Sequence, residues 1–377
     1  MKCCAGLFLI LACQAQQELP PETLLLAKIK AKVAENLSRL PNYTCTETIQ
    51  RSLWHKSTAT PEMVDTVRLE VAFVHNKELY GWPGAARIDE PDIVKMVGGS
   101  VGNGYFALFL NNIFLVSSTT FHHVGRTKLE GQDAQRYDYS VPQIAGAYRL
   151  RGAEGAAVVG YHGSFWIAEG QVDPVRINVI ADDIPTDIGF SAATSVLDYG
   201  PITIGSKTSV LPQAAEIVFT DTEGTEHRSR LNFRACHQFV GESVVKFNVP
   251  AAESTVALPE DFTVDIDLIT PIDSDTSAGG DPIQATLVDE MKLNDGSLVP
   301  KGATVSGRIA HITKNGASYL LDFVVTAIVF EGGRVELSGR ENSVSVEDWS
   351  KIRQSAHLVL ARGTHLRLQS ILGKFGK

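Results

Sequence analysis

Two adjacent histidines, His122 and His123, are the residues of this 377-residue chain whose types could most directly bind a metal ion or transfer a proton. They lie in the run Phe121–Val124, whose setting is typical of a β-strand. Neighbouring side chains of a strand point to opposite faces, so both imidazoles could face one ion only at a bulge. A hydrolase or metal site around this pair is therefore the least favoured of three functional hypotheses, and the other two are given at the end of this section.

The remaining motifs do not complete a known catalytic pattern. Gly163-Ser164 lacks the second glycine of a nucleophile elbow, and the glycines from Gly98 to Gly104 are not followed by the Lys-Ser or Lys-Thr of a phosphate-binding loop. An acidic run could attract calcium, but it lacks the spacing of an EF-hand, so a solvated strand face explains it more simply. This run comprises Asp265, Asp267, Asp273, Asp275 and Asp281. The sequence therefore predicts no enzyme, no catalytic residue, no metal site and no cofactor.

The cysteines are informative about the compartment. Three of the five cysteines lie in the first residues, and Cys45 and Cys236 alone belong to the body of the chain. In an oxidising compartment this remaining pair is a candidate disulfide, enclosing a loop of about 190 residues.

Residues 1–17 resemble an export leader. Lys2 supplies a positive start, and the apolar run Ala5–Ala12 is too short to span a bilayer. Two kinds of processing fit. Ile10–Cys13 is similar to a bacterial lipobox, in which Cys13 is lipidated, whereas cleavage after Ala15 yields a soluble protein. Either one predicts the periplasm or the outer membrane.

The net charge and composition limit the classes of binding partner. A net charge of -9 and a pI near 5.6 argue against nucleic acid and against an anionic membrane surface. Membrane attachment would therefore depend on Cys13. The length and a hydrophobic share of 44% allow two folded domains.

The periodicity predicts a mainly β, β-rich α+β fold. An amphipathic helix after Pro20 shows an apolar stripe at three- and four-residue steps, and a period of two begins at Tyr43. The run Tyr105–Val116 is apolar nearly all round, which indicates a buried internal helix. We expect an antiparallel half-barrel over 18–250, a linker over 251–260 and a small all-β barrel over 261–377.

Two phrases of the second half carry a family resemblance. Gly280–Leu287 (GDPIQATL) and Ser297–Ile309 (SLVPKGATVSGRI) resemble the C-terminal β-barrel of TrbI-like subunits of conjugation and type IV secretion channels. The resemblance implies a barrel that docks on an envelope protein partner. Two features of that family, a membrane anchor near the N-terminus and a long proline-rich stretch, are missing here.

The first half is similar, more loosely, to LolA- and LolB-like lipoprotein carriers. The phrases Gly163–Ile167 (GSFWI) and Asp173–Ile177 (DPVRI) carry this resemblance. It implies that the half-barrel holds an apolar ligand or a lipoprotein acyl chain. The corresponding cavity would be lined by Phe106, Phe109, Leu110, Phe114 and Trp166, although the same side chains could fill an ordinary dry core.

Together these observations favour an exported, non-enzymatic cell-envelope protein whose first domain binds an apolar ligand or lipoprotein and whose second domain docks on a partner. The alternative is a structural subunit of a secretion or efflux assembly that has no ligand at all.

Overall fold

The computed structural model describes residues 19–370, apart from 59, 76, 86, 100–107, 147, 153–154, 240–254, 257–262, 294–295, 316–317, 332, 338–342 and 347–356. The predicted leader with Cys13, and Phe106 of the predicted cavity, lie outside this part of the chain. Among the described helices, none is long and apolar enough to cross a membrane.

The first half contains twelve strands and all of the helices in the described part of the chain. The strands are β1 (Tyr43–Trp54), β2 (Glu62–Val74), β3 (Lys77–Gly81), β4 (Thr120–Leu129), β5 (Gln132–Val141), β6 (Tyr148–Arg151), β7 (Ala156–Val159), β8 (Tyr161–Ala168), β9 (Pro174–Ala181), β10 (Phe190–Ile204), β11 (Lys207–Asp221) and β12 (Glu226–Gln238). The helices are α1 (Pro21–Arg39), α2 (Ile93–Val97), α3 (Leu108–Leu110), the π-helical turn Asn111–Leu115, α4 (Gln143–Gly146) and the 3-10 turn Thr186–Ile188.

Ten of these strands form one antiparallel sheet in the order β3-β2-β1-β12-β11-β10-β9-β8-β5-β4. Its two ends, β3 and β4, do not pair with each other, as expected of a half-barrel. We call the face that packs against α1 and the internal helix the inner face.

Helix α1 lies on the inner face of the sheet, where its apolar stripe is buried away from water. Ile29 and Val33 are fully buried in the core of the first half. The Tyr137 hydroxyl donates to the carbonyl of Glu22 at 2.8 Å, and Asn36 Nδ2 donates to Asp173 Oδ1 at 2.8 Å. Hydrogen bonds near both ends therefore fix the predicted N-terminal helix to β5 and to the start of β9.

The internal helix differs in detail from the regular helix that the apolar run predicts. Its described part, after residue 107, is one turn of α3 followed by the π-helical turn, which ends at Leu115. Asn112 is buried, and its side chain donates to the Gly146 carbonyl while its own carbonyl accepts from the Thr119 hydroxyl. A polar residue with its own partners thus interrupts the apolar run, at a single π turn of the kind that α-helices accommodate.

The second half contains a closed barrel. Its strands are β13 (Thr255–Val256), β14 (Thr263–Leu268), β15 (Ile272–Asp273), β16 (Pro282–Leu287), β17 (Met291–Lys292), β18 (Leu298–Val299), β19 (Thr304–Asn315), β20 (Ser318–Phe330), β21 (Gly333–Leu337), β22 (Ser343–Val346), β23 (Val359–Leu360) and β24 (His365–Ser370). The ring runs β20-β19-β16-β14-β24-β22 and closes through the β20–β22 pairing. It surrounds its own hydrophobic core. The mainly β fold class is confirmed.

The described part of the predicted linker, β13, pairs in parallel with β21 of the second sheet. The division into independently folding domains at 251–260 stays a prediction.

The two halves meet at the edge of β2. Beyond the stretch that β3 covers, the Arg68 amide donates to the Gly279 carbonyl at 2.7 Å, and the Gly279 amide donates to the Thr66 carbonyl at 2.8 Å. The Arg68 guanidinium also binds the Asp281 carboxylate. A Cβ on Gly280, whose φ is +97°, would lie 2.2 Å from the Arg68 carbonyl oxygen. The motif Gly280–Leu287 therefore begins at a contact that only glycine permits.

Candidate functional site

The predicted cavity residues Phe109 and Phe114 are packed against other rings. Phe109 is fully buried, and its ring centroid lies 5.3 Å from that of Tyr148 and 5.6 Å from that of Tyr161. Phe114 is 4.9 Å from Phe165, in an edge-to-face arrangement. These distances are those of close aromatic packing, which favours the dry-core alternative for the two rings, and their lining of a ligand cavity stays a prediction.

Trp166 requires a correction, because it lies on the opposite face of the sheet. Its neighbour Phe165 is fully buried on the inner face, and strand alternation turns Trp166 outward. There the indole is half-buried, with the Arg136 guanidinium 5.6 Å from its ring centroid. Leu110 is buried and borders a narrow crevice under α1 of about 10 Å³, room for a single water molecule.

The two histidines of the third hypothesis also separate. His122 is exposed, whereas His123 is half-buried against the Tyr137 ring at 4.8 Å, with Nε2 3.0 Å from Gln135 Oε1. The β4–β5 pairing shows an irregularity after His123, but the alternation of exposure continues through both residues. The two imidazoles thus have different surroundings and do not share a ligand position.

A larger cavity, of about 290 Å³, lies where β1, β2 and β12 approach α2. Most of the surface that its wall presents to this space is apolar, and Leu53, Val64 and Val97 contribute to it. The polar residues of its wall are Arg51, Ser52, His227, Arg228 and Ser229, and Gly99 completes it. We call this space the β2–α2 cavity.

The charged groups of the β2–α2 cavity already have protein partners. Arg51 forms a two-pronged ion pair with Asp65, and both side chains are nearly buried, at 13% and 6% exposure. Arg228 pairs with Glu226 at 2.6 Å and stacks over Trp54, and His227 Nε2 lies 3.4 Å from an Asp221 oxygen. Because these charged groups are already paired, a guest in the cavity would contact mainly its apolar surface.

Arg51 also fixes the loop that closes one side of the cavity. It donates to the carbonyls of Val97 and Gly98 at 3.1 and 2.7 Å, so it ties the end of α2 to the sheet. Gly98 and Gly99 both adopt positive φ there, at +65° and +70°. A Cβ on Gly99 would come within 3.0 Å of the guanidinium. Small residues with a left-handed backbone are thus required for this contact.

Glu47 is a buried carboxyl on the inner face. It is 1% exposed, lies between Leu69 of β2 and Phe233 of β12, and among the described residues its Oε2 has no hydrogen-bond partner. Burial, reinforced by the negative charge of Glu78, raises its pKa from 4.5 to about 8. Glu47 is therefore a neutral carboxylic acid at neutral pH.

The predicted disulfide between Cys45 and Cys236 is confirmed, with a Cα–Cα distance of 4.1 Å. It joins β1 to β12 beside an irregularity in their pairing, where Ala235 has a φ of +50°. The bond lies in the same sheet as the β2–α2 cavity and closes a loop over a sequence separation of 191.

Sequence reasoning did not find the cavity residues Arg51, Val64 and His227. A signal existed for Arg51: it follows Ile49 by two positions, so alternation places a charge on the buried face. A charged side chain on a buried face requires a partner of opposite charge, so the sequence could have indicated an ordered set of polar contacts around Arg51.

No protein-family model matches the chain, and no curated protein matches it. Among solved structures, a DUF1329 family protein from Desulfovibrio piger shares 11% identity over 61% of this chain and 98% of that chain, with a TM-score of 0.31. A LolA superfamily protein from Nitrosomonas europaea shares 7% identity over 60% and 97%, with a TM-score of 0.27. The lipoprotein LppX from Mycobacterium tuberculosis shares 12% identity over 58% and 98%, with a TM-score of 0.20. At these scores the similarities say nothing about ligands, and the resemblance of the second half to TrbI-like barrels stays a prediction.

Proposed function

We propose that this protein is an exported, non-enzymatic cell-envelope protein that binds an apolar guest in the β2–α2 cavity and docks on an envelope partner through its barrel. The observation that carries the proposal is the cavity itself, which combines mostly apolar walls with charged groups that are already paired. Such a site favours an uncharged apolar group over an anion, because an anion would have to displace a carboxylate from its arginine.

The volume limits the guest. Ligand pockets for drug-sized molecules usually measure about 300–1,000 Å³, and 290 Å³ lies just below that range. The cavity therefore suits the end of one acyl chain or a similar apolar segment, and it is too small to enclose several chains.

Export is supported by the Cys45–Cys236 bond, since disulfides persist in oxidising compartments such as the periplasm. Partner docking by the barrel is supported by large apolar side chains that stay exposed there, namely Leu298, Leu320 and Val359. Single exposed apolar residues are common, so these three mark where to test for a partner.

A structural subunit without a ligand is the second candidate. The ring packing of Phe109 and Phe114 favours it, because the interior that was expected to hold a guest is filled by aromatic side chains.

The two candidates differ in the binding of a fluorescent acyl probe, such as a dansyl-labelled fatty acid, to the purified full chain. A carrier should give a saturable rise in fluorescence. Val64→Trp fills the cavity and should weaken probe binding at least about tenfold, because excluding two methylenes costs about 1.6 kcal/mol. Met63→Trp is the control. It places the same ring on the preceding residue, which is 57% exposed, and should leave the affinity for the probe unchanged.

Val64→Phe, a smaller insertion, serves if the tryptophan variant unfolds in a thermal melt. If the native chain shows no saturable binding, the structural candidate takes its place. If the native chain binds the probe but Val64→Trp binds it as tightly, the β2–α2 cavity is not the guest site and the proposed site is wrong.

A further inference from the structure

We propose that Asp273, Asp275 and His357 form a binding site for a divalent transition-metal ion such as Zn²⁺ at one end of the barrel. Within the described part of the chain, they are the one set of three such side chains whose ligand atoms all lie within 4.8 Å of one another. The site lies in the second half and does not depend on the proposed apolar guest.

Both carboxylates face the same imidazole nitrogen. His357 Nε2 lies 2.7 Å from Asp273 Oδ1 and 3.5 Å from Asp275 Oδ2. Ligand atoms that share a tetrahedral ion at about 2.0–2.2 Å are themselves a little over 3 Å apart. The two nitrogen–oxygen distances thus bracket the spacing that an ion would impose. On binding, the imidazolium releases its Nε2 proton to solvent and keeps the proton on Nδ1, so a neutral imidazole coordinates the metal through the Nε2 lone pair.

A second histidine of the barrel shows why this convergence matters. His365 also contacts two aspartates, but Asp267 lies 3.0 Å from Nδ1 and Asp265 lies 3.7 Å from Nε2. Carboxylates on different ring nitrogens cannot meet at one ion. One histidine and two aspartates therefore give an ion-pair network at His365 and a convergent ligand set at His357.

The ligands are held by a rigid frame that reaches into the core. Asp273 follows the fully buried Ile272, and His357 precedes the fully buried Leu358. The Ser274 amide donates to the Leu358 carbonyl at 2.9 Å, and the Leu358 amide donates to Ser274 Oγ at 3.1 Å. Reciprocal bonds thus join the two ligand segments, which are 84 residues apart, before any ion binds. Such preorganisation is what a metal site requires of its surroundings.

The donor set indicates which ion fits. One imidazole and two carboxylates suit zinc and its neighbours, whereas calcium takes oxygen ligands only. Three protein ligands leave a fourth position for water or for a donor from a partner. The side chains are 38%, 71% and 42% exposed for Asp273, Asp275 and His357, so an ion can reach them from solvent.

The test uses the untagged full chain and isothermal titration with Zn²⁺. We expect one ion per chain, and a loss of at least about tenfold in affinity for His357→Ala and for Asp273→Asn, since loss of a supporting partner alone typically costs 10–100-fold. His365→Ala is the matched control and should keep the native affinity. Bound Co²⁺ should show the visible absorption of a low-coordinate site, and excess Ca²⁺ should not displace it.

The proposal is overturned if the native chain binds no zinc saturably, if His357→Ala binds it as tightly as the native chain, or if His365→Ala loses as much affinity as His357→Ala. Circular dichroism and thermal melts of the apo variants identify any loss that is due to unfolding, and Asp275→Asn, at the most exposed ligand, then provides the second test.

Discussion

The buried carboxyl of Glu47 should make the stability of the first half depend on pH in an unusual direction. Its pKa is raised from 4.5 to about 8 in the folded protein, so between these values the folded chain holds a proton that the unfolded chain has lost. Stability is therefore highest below about pH 4.5 with respect to this group, falls as the pH rises, and stops falling above about pH 8. Most carboxyls in ion pairs do the opposite.

The magnitude follows from the width of this window. One pKa unit corresponds to about 1.4 kcal/mol, and a shift from 4.5 to about 8 therefore corresponds to about 5 kcal/mol of lost stability across the window. Glu47→Gln keeps the shape of the side chain but does not titrate. The free energy of unfolding of the variant, relative to that of the native chain, should thus rise by about 5 kcal/mol between acid and alkaline pH.

Urea unfolding of both proteins at about pH 5, about pH 6.5 and about pH 8 should show about 3.5 kcal/mol of this difference, because the unfolded carboxyl is already mostly ionised at the lowest of these pH values and the folded one is only half ionised at the highest. Other groups contribute equally to both curves and cancel. Glu223→Gln, at an exposed turn, is the control and should run parallel to the native chain. If Glu47→Gln also runs parallel across the window, Glu47 is not a neutral buried acid. If the variant instead loses stability relative to the native chain as the pH rises, the Glu47 carboxyl is ionised and paired in the folded protein.

Three other outcomes follow from the described contacts. Replacing both Cys45 and Cys236 by alanine should cost up to about 5 kcal/mol in urea unfolding by the chain-entropy treatment, and equal stability of the native and reduced chains would contradict it. Gly280→Ala should speed amide hydrogen exchange along the β2 edge, because the added Cβ would collide with the Arg68 carbonyl. Gly302→Ala is the control: its φ is similar, but a Cβ there would meet no atom within 4 Å, so exchange at the β2 edge should not change. Equal effects of the two variants would mean that the positive φ, and not the collision, causes the faster exchange. Limited proteolysis should release a stable fragment close to 258–377, and a fragment that cannot fold by itself would refute the predicted boundary.

Local periodicity was enough to predict the main elements. The stripe of Ile29 and Val33 identified α1, and the period of two from Tyr43 identified the strands, because burial of one face dictates both patterns. The disulfide followed from cysteine count and compartment. A small barrel was expected in the second half because closure hides the edges of short strands, but the β20–β22 pairing that closes it could not be predicted, since pairing between distant segments leaves no local mark.

The candidate site could not be predicted in the same way. Whether an aromatic ring lines a cavity or fills a core depends on the rings opposite it, as Phe109 shows with Tyr148 and Tyr161. Trp166 was predictable in principle, since alternation from Phe165 places it outside. The metal ligands Asp273 and His357 come together only through the β15–β23 pairing, which a pattern of single residues does not contain.

The Cys45–Cys236 bond also gives the chain a covalent topology that the sheet alone does not have. Because β1 and β12 hold the two ends of this crosslink, nearly all of the first half is a closed ring of polypeptide, and the barrel is a tail attached beyond it. A protease that cuts once between residues 45 and 236 opens the ring but releases no fragment until the bond is reduced. A cut after residue 239 separates ring from tail, and the described contacts that still join them include those at the edge of β2 and the stacking of Arg308 over Trp82. A single proteolytic cut would thus leave the first half in one covalent piece or separate it from the second half, depending on which side of Cys236 it falls.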